Sequence, residues 1–237
     1  MIKTFVKQHT TKGVRIALLK LRDELKIQRE HRLGLKEAKR YVGRTDLKLH
    51  IGCGPNKKVG WVNVDLGGAA DVHLDIREGL PFPKDSVLIV YSEHFLEHLQ
   101  YTSTVYDTGA VDGVEADYPS EAFHFLRESF RVLRRGGVFS VGVPDAGEVL
   151  KAYAVNDPEP FMRAKRDVHP KWCRTPMDHI NYTFRQGEQH KYAYDAETLA
   201  QILHDVGFVE IRRRDFDPEL DTEKRRLGTL YMDSKRP

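Results

Sequence analysis

Cysteine is scarce in this chain: there are two in 237 residues, Cys53 and Cys173. They lie far apart and form no CxxC or metal-ligand spacing, which argues against a disulfide scaffold and a thiolate zinc ribbon. Both are read as plain thiols in a reducing, cytoplasmic setting. No stretch approaches the roughly 18 uninterrupted apolar residues that a membrane span needs. The opening residues, Met1 to His9, lack the apolar run and cleavage site of a secretory signal, so the expected location is the cytoplasm. Internal repeats and low-complexity segments are also absent. What remains, at 40% hydrophobic and 31% charged, suits one soluble α/β domain with an appendage or two.

Net charge is only +3, but it is unevenly spread. Residues 1–48 hold 14 Lys/Arg against five acids, leaving that arm at +9 and the remainder at −6. A basic arm attracts anionic surfaces: nucleic acid, acidic headgroups or the acidic face of a partner. Val14, Leu18, Leu21 and Leu25 recur at helical spacing, predicting an amphipathic helix from Val14 to Tyr41, packed on the domain with its basic side in water. Gly34 is a candidate interruption and Gly43 a stop.

From Leu47 the pattern changes. Leu47 to Ile51, Gly60 to Asp65, Val72 to Asp75 and the apolar run Val87 to Tyr91 read as strands. A helix is expected from Glu93 to Leu99, a loop from Tyr101 to Tyr118, and a helix from Ser120 to Leu133 stopped by Gly136-Gly137. Val138 to Val143 is a further strand. An irregular stretch follows from Ala146 to Gln189. Asp195 then caps a helix ended by Gly207, and Phe208 to Arg213 is a late strand. Strands alternating with helices through short connections predict a doubly wound, mostly parallel sheet, a Rossmann-like α/β fold.

In such sheets ligands bind beyond the carboxyl ends of the strands. Gly52 and Gly54 follow the first strand there, and without side chains the backbone turns sharply and approaches a ligand closely. Asp65 ends the second strand, where an acid accepts hydrogen bonds from a ribose diol. Asp75 ends the third, where a carboxylate suits an adenine amino group. The third glycine of GxGxxG is missing after Gly52-Cys53-Gly54-Pro55-Asn56, so a ligand without a pyrophosphate fits better.

Ile51-Gly52-Cys53-Gly54, Gly60-Trp61-Val62-Asn63-Val64-Asp65, Leu80-Pro81-Phe82, His94-Phe95-Leu96-Glu97-His98-Leu99 and Arg131-Val132-Leu133-Arg134-Arg135-Gly136-Gly137 together resemble the successive motifs of class I S-adenosylmethionine (SAM)-dependent methyltransferases. They are most similar to the small bacterial, type 11-like branch often found with polysaccharide and glycolipid biosynthesis. The resemblance runs from about Leu47 to Phe208. It implies a SAM site at Gly52, Cys53, Gly54, Asp65, Leu66, Asp75, Ile76, Ser92 and His94: the glycines toward the methionine part, Asp65 on the ribose, Asp75 and Ile76 on the adenine, Ser92 and His94 bordering the sulfonium. One departure is His50, two residues before the first glycine, where the family usually has an acid. A neutral His50 replaces part of that role, whereas a charged one repels the cofactor's ammonium.

Methyl transfer needs an acceptor aligned with the leaving sulfur and a dry site, and a hydroxyl acceptor also benefits from a general base. The candidates are His190, His94 and Asp145, with His190 preferred. Asp145 is equally suited to a turn or cap, and Tyr194 to a structural role. A helical turn is expected to bring His94 and His98 to one side. No third ligand accompanies them, so no metal is expected. The acidic loop at residues 100–118 reads as an insertion, either a lid or a solvated loop.

The chain thus divides into a basic helical arm (1–45), a methyltransferase domain (46–216) with its acceptor-side segment at 146–194, and a basic tail (217–237). The expected activity is SAM-dependent methyl transfer, as O-methylation, to a small-molecule, sugar or glycolipid acceptor. The arm would contact a membrane surface or partner protein. Alternatives are an RNA methyltransferase gripping phosphates through the arm, a non-catalytic SAM-binding protein and a nicotinamide oxidoreductase. Nucleic acid is disfavoured by the acidic body and by the absence of an Asn-Pro-Pro-Tyr-type element for a flipped base.

Overall fold

The computed structural model describes residues 10–101 and 120–237. The expected insertion, residues 100–118, lies almost wholly outside the described residues. Seven strands form one sheet in the order β3-β2-β1-β4-β5-β7-β6. They are β1 (Leu47–Ile51), β2 (Val62–Asp65), β3 (Val72–His73), β4 (Val87–Glu93), β5 (Leu133–Pro144), β6 (Val209–Arg214) and β7 (Thr229–Lys235). All neighbours pair in parallel except β7, which is antiparallel to both β5 and β6. The expected doubly wound, mostly parallel α/β class is what the chain adopts. The order reverses between β1 and β4, which opens a crevice at their carboxyl ends.

The flanking helices begin where a side chain satisfies free backbone N–H groups. Ser120 caps α2 (Glu121–Val132), accepting from the Phe123 N–H at 3.2 Å. Its buried face, Ala122, Phe125, Leu126 and Val132, joins the main core with Leu49, Val90, Phe139 and Leu203. Asp195 caps α6 (Ala196–Val206), which Gly207 ends at a positive φ of 106°. The irregular stretch after β5 holds α3 (Ala146–Ala154), α4 (Glu159–Asp167) and α5 (Pro176–Arg185). Ala152, Phe161 and Ile180 give these three helices a small core of their own.

Four expectations need correcting. The segment 217–237 is not a tail, because β7 within it sits inside the sheet between β5 and β6. The signal was weak because its apolar part is only Leu230-Tyr231-Met232, set between Gly228-Thr229 and Asp233-Ser234-Lys235. The helix expected from Glu93 is strand as far as Glu93, followed by a single 3₁₀ turn, Leu96–His98. There the Gln100 N–H turns to the Glu121 carboxylate at 2.9 Å, and the Gln100 carbonyl accepts from Ala122, so the chain leaves toward α2.

The arm forms α1 (Lys12–Ala38), and Gly34 does not interrupt it. A Cβ there would lie 1.7 Å from the His73 carbonyl oxygen, so Gly34 lets the helix backbone press directly on β3. Only the C-terminal half docks. Val14, Leu18, Leu21 and Leu25, expected against the domain, are 46–59% exposed. The docked half is fixed by Glu37, which accepts from the His73 backbone N–H at 2.9 Å and pairs with its ring at 3.0 Å. No helix among the described residues is long and apolar enough to cross a membrane.

Candidate active site

The turn after β1 is built around Asp65. Gly52 and Gly54 both have positive φ, 68° and 49°. The Gly52 and Cys53 N–H groups donate to the Val64 carbonyl at 2.9 and 3.2 Å. One Asp65 carboxylate oxygen accepts from the Gly54 N–H at 2.8 Å and the other from the Gly67 N–H at 3.1 Å. Each oxygen keeps acceptor capacity, since a carboxylate offers about four lone-pair sites. A Cβ at Gly52 would meet the Phe95 ring at 2.6 Å, whereas one at Gly54 would face open space. Gly54 and Asp65 thus form an open cradle, with half-buried Leu66 beside it.

Two neighbours of the cradle are chemically silent. Cys53 is buried, and burial together with nearby Asp65 pushes its thiol up to about 11. His50 is buried too. Its Nδ1 faces the Asn63 side-chain oxygen at 3.3 Å, and burial and Lys58 lower it to about 4. The position two residues before Gly52 thus carries an uncharged ring, which does not repel an ammonium.

The adenine end differs from expectation. β3 stops at His73, and Asp75 instead caps the 3₁₀ turn Ile76–Glu78. Both of its carboxylate oxygens are taken by Arg77: Nε at 2.9 and 3.1 Å, Nη2 at 2.7 Å and the backbone N–H at 3.0 Å. An adenine-accepting role for the Asp75 side chain is withdrawn on that ground, while Ile76 is buried at this end beside it. Arg77 also reaches Glu24 of α1 at 3.0 Å, and the Asp75 N–H donates to His31 Nδ1 at 3.2 Å. The arm is thus a wall of this end, with a cavity of about 650 Å³ lined by Glu24, His31, Asp75, Arg77 and Glu121.

At the other end, Ser92 is fully buried and its hydroxyl has no hydrogen-bond partner among the described residues. His94, the residue after β4, has a φ of 54°, a left-handed conformation that turns the chain sharply. Its Nε2 lies 2.8 Å from the Thr229 hydroxyl, and its Nδ1 lies 3.7 Å from a Glu97 oxygen. His190 Nδ1 contacts the Thr183 carbonyl at 2.6 Å, and His98 Nδ1 the Gln189 carbonyl at 3.1 Å. Burial lowers all three imidazoles below their ordinary range, which favours the uncharged ring.

His94 and His190, named separately in the sequence reading, both lie close to a residue passed over there. Glu97 is 1% exposed, neither of its oxygens finds a partner among the described residues, and burial pushes it up to about 8. It lines a narrow crevice with Pro144, His190 and Tyr194, whose buried hydroxyl is also unpartnered. The expected pairing of His94 with His98 on one helical face fails because no α-helix forms there. A donor grouping exists nonetheless, since Glu97, His98 and His190 each place one ligand atom within 4.8 Å of the others. The signal for Glu97 was its enclosure by His94 and His98 in sequence. Its isolation from donors could not be read there.

Asp145 is removed from the catalytic set. One oxygen caps α3 by accepting from the Glu148 N–H at 3.0 Å, and the other pairs with Arg213 at 3.0 Å. A second donor grouping, His169, Cys173 and His179, lies among α4 and α5, where the two histidine Nδ1 atoms are 2.8 Å apart. The sequence had given Cys173 no such company, because its partners come from positions without a familiar spacing.

No family model matches the chain, and no curated protein matches it either. Among solved structures it is similar to a Thermotoga maritima protein described as a SAM-dependent methyltransferase, possibly a histamine N-methyltransferase. There the identity is 12%, 94% of this chain and 97% of that one are covered, and the TM-score is 0.44. An Archaeoglobus fulgidus SAM-dependent methyltransferase aligns at 16% identity over 86% and 93% of the two chains, TM-score 0.45. A possible exported protein from Bordetella parapertussis aligns at 11% identity over 89% and 67%, TM-score 0.41.

Proposed function

We propose that the chain is a SAM-dependent methyltransferase that transfers the methyl group to an oxygen of a small-molecule, sugar or glycolipid acceptor. The observation that carries this reading is the cradle at the β1–β4 crevice: a positive-φ glycine turn, open above Gly54 and tied down by Asp65. The residues present fit the cofactor. Asp65 has lone pairs left for two ribose hydroxyls, Gly54 leaves space for the amino-acid part, and neutral His50 tolerates its ammonium. Ile76 borders the adenine, and Ser92 and His94 stand at the sulfonium end. When bound, SAM supplies a methyl carbon already activated by a positive sulfur.

The protein's share is alignment and proton handling. Glu97, His190 and Tyr194 line the crevice that would hold the acceptor oxygen. The acceptor oxygen would take the methyl group, and the sulfur of bound SAM would keep the electron pair of the bond it gives up. The hydroxyl proton passes to the cluster of Glu97 and neutral imidazoles, in which His190 is the preferred acceptor. The half of α1 that stands clear of the domain keeps the basic, apolar-striped surface for a membrane or partner contact.

Calorimetry with S-adenosylhomocysteine tests the reading. Asp65→Ala is expected to weaken binding by at least about 100-fold, given roughly 1.5–3 kcal/mol for each hydrogen bond to a charged group, with cooperative melting retained. Unchanged affinity in a folded variant would overturn it.

A further inference from the structure

The surroundings of Glu97 contain more than methyl transfer requires. A carboxyl group sealed from water is ordinarily hydrogen-bonded, yet neither oxygen of Glu97 meets a donor among the described residues. Around it stand three imidazoles whose protons are already spent elsewhere. A backbone carbonyl only accepts, so the 2.6 Å contact with Thr183 places the proton of neutral His190 on Nδ1 and leaves a lone pair on Nε2. The contact with Gln189 does the same for His98. The Thr229 hydroxyl gives its own hydrogen to the Arg225 carbonyl at 2.5 Å, so it must accept from His94 Nε2. His94 Nδ1, 3.7 Å from Glu97, is then a bare lone pair as well. The pocket thus gathers three imidazole lone pairs around a carboxyl group that has no fixed partner, with the Tyr194 hydroxyl beside them, and such a set of lone pairs suits a cation.

The arrangement favours a metal ion over an ammonium group. Metal-binding histidines characteristically give their second ring N–H to a carbonyl or carboxylate, which fixes the tautomer and aims the free nitrogen. His98 and His190 both do so. Their rings lie 5.0 Å apart and nearly perpendicular, so the two planes can converge on one point without stacking. The donors come from the 3₁₀ turn after β4 and from the chain just after α5, two segments tied by the Lys191 N–H donating to the Glu97 carbonyl at 2.7 Å. Two imidazoles and one carboxylate suit zinc, cobalt or ferrous ions rather than calcium or magnesium.

We propose that Glu97, His98 and His190 form a binding site for a divalent transition-metal ion, with His94 Nδ1 available as a fourth donor, at the acceptor end of the crevice. One ligand atom each from Glu97, His98 and His190 lies within 4.8 Å of the others, and His94 Nδ1 lies 3.7 Å from a Glu97 oxygen, so an ion bound at about 2.0–2.2 Å would draw them together. The site itself stands without the methyltransferase reading. Its use rests on that reading: the ion would hold the acceptor oxygen in place of its direct contacts with Glu97 and His190, which makes an oxygen-bearing acceptor the substrate class.

The test uses the full chain carrying Cys173→Ser, which disables the second donor grouping, after dialysis against a chelator. Titration with Co²⁺, followed by visible absorption and calorimetry, is expected to show one ion per chain and no thiolate charge-transfer band. Glu97→Gln and His190→Gln should each weaken Co²⁺ binding by about 100-fold while leaving S-adenosylhomocysteine affinity and the melting temperature in place. Asp65→Ala should do the reverse, so failure of the metal site and failure of the cofactor site are distinguishable. The proposal is overturned if neither Co²⁺ nor Zn²⁺ binds the Cys173→Ser chain, or if binding persists in both variants. Saturable binding of methylammonium, lost in Glu97→Gln, with no metal binding would overturn it in favour of a cationic acceptor.

Discussion

Asp221 and Glu97 are both almost sealed from solvent, yet their surroundings are opposite. Asp221 accepts from Tyr91 at 3.1 Å, twice from Arg214 at 2.5 and 2.7 Å, and from the Asp217 N–H at 2.7 Å. Arg214 in turn binds Asp233 at 3.0 Å, so this network joins β4, β6 and β7 to the segment between the last two strands. Neither oxygen of Glu97 has a hydrogen-bond partner among the described residues. A buried acid whose every lone pair is used holds a fold together. One left without donors costs stability and persists where a ligand or reaction uses it.

The largest expected effect tests the satisfied side of this contrast. Asp221→Ala leaves Arg214 buried with one carboxylate fewer and should cost about 3–5 kcal/mol in urea unfolding; a loss near zero would erase the contrast. Next is the unsatisfied side. Glu97→Leu, in metal-free protein, should raise stability by about 1–2 kcal/mol, because it removes a buried polar group that has nothing to lose.

The smallest effect comes from a pair between these extremes, Glu37 and His73, which ties α1 to β3. Burial opposes its charge, but the His73 hydrogen bonds and Arg40 hold Glu37 below its ordinary value of 4.5. The Glu37 hydrogen bond, with Glu30 adding to it, lifts His73 above 6.5 against its own burial. Glu37 therefore contributes fully above pH 4.5 and fades as pH falls through its lowered value. His73 contributes fully below pH 6.5 and fades as pH rises through its raised value. Stability should lose up to about 1 kcal/mol between pH 5.5 and 8.5, and His73→Gln should flatten that slope.

Much of the sheet was legible because its period and punctuation are local. Leu47 to Ile51 and Val87 to Tyr91 are apolar runs bounded by turn residues, and Asp195 and Gly207 bracket α6 as caps should. The cradle could be read for the same reason, since Gly52, Gly54 and Asp65 act through their own backbone and position. What failed depended on which side chains meet. Asp75 looks like a free acid until Arg77, two residues on, folds back onto both its oxygens, and Asp145 is claimed by the distant Arg213. The stripe from Val14 to Leu25 has a buried helix's periodicity, but the domain ends before reaching it. Glu97 stands out only through the donors missing around it, which no linear pattern encodes.

The position of β7 has a consequence for assembly. Since it follows β6 in the chain yet lies between β5 and β6, β6 has no seat in the sheet until residues 229–235 are available. Arg236, just beyond, then clasps Asp85 and the Leu133 carbonyl, securing the start of β5. During folding β5 therefore presents a bare edge until that later segment slots in, and β6 joins the sheet only through it.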